Sequence, residues 1–235
     1  MEDWSEMDGA AAVEKASSLP YFATGSARLD ALLGGGYRAG RLVEVFGSSN
    51  SGKTQLAMQA ALMAASRGVR SLYVDTEGSF RPERIEQMAV ARGLEPSPIL
   101  EKVVYLRAAS MAEQREVAAG VSRASAFASC RVVIVDSLTK NFTLELPGRS
   151  NLAARQGALG AYLSEMARDA FLHSRAYVLT NRVTFGAKLD VGIGGRTVEQ
   201  LVHRSLRLER AGDTVRLTDA AGGVAALKLD EKGLT

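Results

Sequence analysis

The chain is poor in the residues that build metal centres and covalent staples. Cys130 is its only cysteine, which excludes an intrachain disulfide and a cysteine metal cluster and fits a reducing cytoplasm. Its two histidines, His173 and His203, lie far apart with no spaced carboxylate, so a histidine metal site is not expected. No apolar run approaches the ~20 residues needed to span a bilayer. The first residues, Met1 to Met7, are acidic rather than basic and carry no apolar stretch, so they do not read as a secretory signal. Internal repeats and low-complexity tracts are absent. The net charge is only +3, compatible with a nucleic-acid partner but too small to establish one.

What remains is an ordinary globular composition, 46% apolar and 23% charged over 235 residues, enough for one α/β domain with a full core. Residues 1–20 are small, polar and acidic and read as a mobile arm or short helix, with the ordered core over 21–235. Apolar β-rich runs then alternate with helical patterns. Strands are expected at Arg41–Phe46, Arg70–Asp75, Val103–Leu106, Arg131–Asp136 and Arg175–Thr180. Helices are expected at Lys53–Ala65, Pro82–Arg92, Met111–Phe127 and Leu152–Phe171. Such alternation predicts a mostly parallel central sheet flanked by helices. Ser205–Arg210, Thr214–Thr218 and Val224–Leu229, joined by Gly212-Asp213 and Gly222-Gly223, predict an antiparallel C-terminal extension. Leu56, Ala60 and Met63 recur at helical spacing and are expected to pack on the sheet.

The chemistry is concentrated in Gly47-Ser48-Ser49-Asn50-Ser51-Gly52-Lys53-Thr54, a complete G-x-x-x-x-G-K-[ST] between strand and helix. Glycines let the backbone wrap a phosphate chain, and N–H groups at the helix start point at the anion. Lys53 would reach the β- and γ-phosphates of ATP, and the Thr54 hydroxyl would ligate Mg²⁺. Gln55, next on the helix, joins the nucleotide-binding set. Asp136, closing the strand Val132–Val135, would lie beside this loop and hold the Mg²⁺ water shell. Glu77, at the end of the neighbouring strand, would orient the water that attacks the γ-phosphate.

Several stretches together resemble the archaeal RadA and RadB proteins and their eukaryotic recombinase relatives. These are Thr24–Asp30 with Leu33–Gly36, the glutamate segment Asp75–Arg84, Pro147–Gln156 after Asp136–Thr139, and Thr180–Val183 with Ile193–Gly195. The resemblance covers about residues 21–210 and implies a RecA-like P-loop ATPase core that works on single-stranded DNA. It implies that Glu77 is the catalytic glutamate and that Arg84 stacks on adenine, a role suited to planar Arg. It further implies that Arg149 and Arg155 in a first loop meet DNA phosphates. Phe185 and Lys188 in a shorter second loop, 184–192, would add one stacking ring and one charge.

The chain also departs from that pattern. No helix-hairpin-helix segment precedes the core, as in RadB-type proteins, and residues 1–20 hold no F-x-x-A linker; Trp4 and Met7 are the nearest substitutes. Arg182 stands where the family has a γ-phosphate-sensing glutamine, and Gln200 where recombinases have a histidine. Arg only donates hydrogen bonds, whereas an amide also accepts. Arg182 would therefore be a built-in arginine finger, or pair with a nearby acid and disable the switch. Asp219–Gly223 replaces a proline-containing cap.

The expectation is a cytoplasmic, archaeal RadB-like paralogue that binds ATP and Mg²⁺, turns over slowly and assists a main RadA-type recombinase or another paralogue. Two alternatives stay open: a stand-alone DNA-dependent ATPase performing strand exchange, and a RecA-like signalling or scaffold ATPase without a DNA role.

Overall fold

The structure, a computed structural model, describes residues 8–121, 123–184 and 191–235. The chain starts with helix α1 (Gly9–Ser18), capped by the Asp8 carboxylate, then passes through β1 (Tyr21–Phe22), α2 (Ala27–Leu33) and β2 (Tyr37–Arg38). The core follows as β3 (Arg41–Gly47), α3 (Lys53–Ser66), β4 (Arg70–Asp75), α4 (Pro82–Ala91), α5 (Pro96–Leu100), β5 (Val103–Arg107), α6 (Met111–Val121) and β6 (Cys130–Asp136). Then come α7 (Lys140–Glu145), α8 (Leu152–Leu172), β7 (Ala176–Thr184), β8 (Val191–Gly192) and α9 (Gly195–Leu201). The C-terminal strands are β9 (Arg204–Ala211), β10 (Thr214–Asp219), β11 (Val224–Asp230) and β12 (Gly233–Leu234).

Among the described residues the main sheet has ten strands in the order β12-β11-β10-β9-β3-β7-β6-β4-β5, with β8 paired to the end of β7. From β9 to β5 the neighbours are parallel; β9, β10, β11 and β12 pair antiparallel. This is the α/β architecture expected from the sequence, with the antiparallel extension in place. No helix among the described residues is long and apolar enough to cross a membrane.

Strand alternation divides the core in two. Val43, Val45, Tyr73, Val132, Ile134 and Val178 face α3 and its neighbours, whereas Leu42, Leu72, Val74, Val133, Val135 and Leu179 face α8 and α9. Helix α3 approaches closely because its inner face is largely alanine: Ala57, Ala60, Ala61, Ala64 and Ala65 are all buried beside Leu56 and Leu62. Each fully buried leucine there contributes roughly 1.5–3 kcal/mol. Met63, in the same spacing pattern, is only partly buried.

Two elements differ from their sequence expectation. The helix expected over Met111–Phe127 ends at Val121, and a short 3₁₀ turn occupies Ser125–Phe127. The cause lies elsewhere in the chain. The buried Arg175 guanidinium takes the carbonyls of Val121 (3.1 Å), Phe127 (3.2 Å) and Cys130 (2.9 Å), and pairs with Asp169 at 2.6 Å. The strand expected to end at Thr180 continues to Thr184, because β3 and then β8 supply backbone partners beyond it. That extension sets the position of Arg182.

Candidate nucleotide site

The carboxyl ends of β3, β4, β6 and β7 converge, and each delivers one part of the site. At the end of β3, Gly47 meets β9 so closely that a Cβ there would lie 2.4 Å from the Leu208 carbonyl and 2.8 Å from Ser51 Oγ. The loop then turns through Asn50 (φ 61°) and Gly52 (φ 105°), both left-handed, a conformation that side chains rarely tolerate. Helix α3 opens directly after Gly52 with no side-chain cap and no acid in its first turn, so its N-terminal N–H groups and dipole are left for an anion. Lys53 Nζ folds back on the same loop, donating to the carbonyls of Gly47 (2.9 Å) and Ser48 (2.6 Å) and to Ser51 Oγ (3.3 Å). Burial lowers its pKa from the ordinary amine range; Asp136 and Glu77 oppose this and Arg182 reinforces it. A glycine-flanked turn of backbone, an uncapped helix start and a half-buried ammonium fit a nucleotide polyphosphate.

Asp136 is 3% exposed and held by three hydroxyls: Tyr73 Oη at 2.8 Å, Ser79 Oγ at 3.3 Å and Thr180 Oγ1. Burial first, and then the Asp136 charge, push the Tyr73 phenol well above its ordinary range, so it stays a proton donor to the carboxylate. With Thr54 in the first turn of α3, this oxygen-only donor set suits Mg²⁺, which takes one or two carboxylates plus phosphate and water. Those residues would hold the ion.

Glu77 sits in a turn built by Asp75. The Asp75 carboxylate accepts from the backbone N–H of Glu77 (2.9 Å), Gly78 (2.7 Å), Ser79 (3.2 Å) and Phe80 (3.2 Å), and from Tyr105 Oη (3.3 Å). Thr76 ties the turn to β6 by accepting from Ser137 N–H at 2.8 Å and donating to the Ser137 carbonyl at 2.9 Å. Lys140 Nζ donates to the Thr76 carbonyl at 2.9 Å.

Arg182 lies opposite Gly47 in the β3–β7 register. Its Nε donates to Glu77 Oε1 at 3.1 Å and its Nη2 to Glu77 Oε2, a bidentate pair. Ser137 Oγ donates to the same Oε1 at 2.9 Å. Of the two fates left open by the sequence, the structure has Arg182 paired with the acid. Behind it, Asn181 accepts from Arg182 N–H (2.9 Å) and Thr139 Oγ1 (2.7 Å), and donates to the Ile193 carbonyl (2.8 Å) and to the buried Glu44 (2.7 Å).

The other expected residues are scattered more widely. Arg84 is half-buried on α4, donating to Gln55 Oε1 (2.8 Å) and the Asp230 carbonyl (2.8 Å), so Gln55 and Arg84 meet as one unit. Arg149 is exposed beyond α7. Arg155 is turned inward, its Nη1 donating to the carbonyls of Leu146 (2.5 Å) and Gly148 (3.3 Å), so it braces the first loop. Gln200 is exposed on α9. Phe185, Lys188, Trp4 and Met7 lie outside the described residues. Asp75, Tyr73, Ser137, Thr180 and Asn181 were not singled out from the sequence. Their roles depend on pairings between strands distant in the chain.

The sequence matches known proteins. The Rad51 family model matches residues 15–198. The chain is similar to the DNA repair and recombination protein RadA of Ignicoccus hospitalis, 36% identical over 210 residues, covering 85% of this chain and 63% of that protein. The RadA of Metallosphaera sedula is 37% identical over 197 residues (79% and 61%). That of Aeropyrum pernix is 39% identical over 180 residues (74% and 56%). The chain thus spans about six-tenths of the length of these relatives.

Proposed function

The chain belongs to the Rad51 family, within the RecA and RadA recombinase group, and on that premise we propose that it is an ATP-binding, slowly hydrolysing RadA paralogue that assists a main recombinase in homologous recombination and DNA repair. The observation that carries this reading is the Arg182–Glu77 pair. A glutamate that polarises attacking water needs a free oxygen facing it. Here Arg182 and Ser137 fill three of the carboxylate's about four acceptor positions, and Arg182 holds both oxygens in a fixed orientation. Binding and turnover are therefore separable. Gly47–Thr54, Asp136 and the Gln55–Arg84 unit would hold ATP with Mg²⁺, while Glu77 stays engaged.

ATP bound with Mg²⁺ supplies the phosphoanhydride and the electrophilic γ-phosphate. Lys53 would exchange its loop carbonyls for phosphate oxygens, Asp136 would orient the waters of the ion, and Glu77 would act only once Arg182 lets go. Arg149 would offer phosphate contacts to single-stranded DNA, with Arg155 shaping the loop that presents it. Its DNA affinity would be modest and would fall with added salt.

Strand exchange tests the assignment. The purified chain alone is expected to form no joint molecules, and to raise their yield when added to a RadA-type recombinase. Efficient exchange by the chain alone would mark it as a stand-alone enzyme. No effect on the recombinase, with or without Lys53→Ala, would remove the accessory role.

A further inference from the structure

A second concave site lies at the opposite end of the sheet. Residues of the β1–β2 pair, the start of β3 and the start of β9 enclose about 400 Å³, lined among others by Tyr21, Gly36, Arg38, Arg41, His203 and Arg204. Arg41 begins the strand that Gly47 ends, so this cavity sits roughly 20 Å from the phosphate loop at ~3.3 Å per residue. No Asp or Glu is among its described lining residues. A larger neighbouring cavity shares His203 and Arg204 but is lined by Glu44, Glu199 and Asp219, so only the first is uniformly cationic.

The three arginines are incompletely satisfied. Arg38 donates one Nη2 bond to the Ala16 carbonyl (2.8 Å) and stacks on Tyr21 (5.4 Å), while its Nε is buried with no partner. Among the described residues no carboxylate lies within ion-pair distance of Arg38 or Arg41. Arg204 reaches Asp219 only at 3.9 Å. A buried guanidinium nitrogen without an acceptor is costly unless something supplies one.

His203 adds a defined donor. Its Nδ1 accepts the Leu42 N–H at 3.1 Å, so in the neutral ring the proton is on Nε2. Burial, and then the Arg41 charge, lower its pKa below the ordinary histidine value, which also places Arg41 within electrostatic reach of the ring.

We propose that this cavity is an anion site for a phosphate group, held by Arg38, Arg41, Arg204 and the His203 Nε2–H, and separate from the nucleotide site. Planar guanidinium forks match phosphate oxygens, and three of them around one concavity, opposed among the described residues only by Asp219 at 3.9 Å from Arg204, suit a dianion. The phosphate is carried either by a small molecule or by a nucleic-acid backbone.

The test uses the full chain saturated with ADP and Mg²⁺, so that the phosphate loop is filled. Inorganic phosphate is titrated while the His203 ring is followed by NMR; with two histidines in the chain, a His173→Gln variant assigns it. Binding of a labelled single-stranded oligonucleotide is followed by anisotropy over a range of salt. Arg41→Glu and Arg38→Gln are compared with wild type, and thermal melts confirm folding; Arg41 is exposed, so its variant keeps the core. In wild type, phosphate is expected to move the His203 signals, with affinity about tenfold weaker in each variant. Loss for phosphate alone assigns a small phosphorylated ligand. A fall of about one in the DNA salt slope, with or without the phosphate loss, assigns a backbone phosphate. If both variants bind both probes as wild type does, or phosphate leaves His203 unmoved and DNA binding is unchanged, the proposal is overturned.

Discussion

Replacing Asp75 by Ala removes the acceptor around which the turn carrying Glu77 is built. The carboxylate is 1% exposed and takes four backbone N–H groups, at 2.7–3.2 Å, and the Tyr105 phenol at 3.3 Å. A hydrogen bond to a charged group is worth about 1.5–3 kcal/mol. The turn is itself half-exposed, so water replaces part of what is lost, and a net destabilisation of roughly 2–4 kcal/mol is expected. The chemical consequence is separate from the stability loss. In an Arg182→Gln background, where Glu77 is free to act, a displacement of Glu77 by ~1 Å costs on the order of 10²-fold in kcat, whereas KM for ATP should change little, because the phosphate loop hangs from β3. Asp75→Asn keeps one acceptor oxygen and should lie between. Urea denaturation measures the first effect and steady-state ATP hydrolysis the second. An Asp75→Ala protein that loses less than about 0.5 kcal/mol, and whose Arg182→Gln form keeps the full turnover of Arg182→Gln alone, would refute the reasoning.

Gly47→Ala places a methyl 2.4 Å from a backbone carbonyl that cannot rotate away; a loss of about 1–3 kcal/mol and weakened nucleotide binding are expected in thermal melts with and without ATP. Glu44 is 2% exposed, and burial raises its carboxyl above the ordinary 4.5, against the lowering by its Ser205 and Asn181 hydrogen bonds. A carboxyl whose folded pKa exceeds its unfolded one destabilises the fold as pH rises from the unfolded pKa to the folded one. Glu44→Gln should therefore gain stability relative to wild type between pH 4 and pH 7, read from melts at the two values; a gap that stays constant contradicts the burial argument.

Much of the fold was legible because the strands are buried on both sides. Arg70–Asp75 and Arg131–Asp136 read as apolar runs and emerged as β4 and β6 within one residue. The break after α6 was not legible, since Arg175, more than fifty positions on, imposes it by taking the Val121 carbonyl. Lys53, Asp136 and Glu77 stand out because their expected roles follow from a strand end and a fixed spacing. The fate of Arg182 needed the β3–β7 register, and the hub role of Asp75 needed the backbone geometry of the turn after it. Arg155 shows the converse. Its sequence context suggests DNA, and its guanidinium holds two loop carbonyls.

The central claim is that Arg182 holds Glu77 out of action. ATP hydrolysis by wild type, Glu77→Gln and Arg182→Gln, each with and without single-stranded DNA, tests it most directly. Slow turnover that ignores DNA in wild type, a rise of roughly tenfold or more in Arg182→Gln, and loss of that rise when Glu77→Gln is added are the results predicted. Fast, DNA-stimulated turnover in wild type, or an Arg182→Gln protein no faster than wild type, would contradict it.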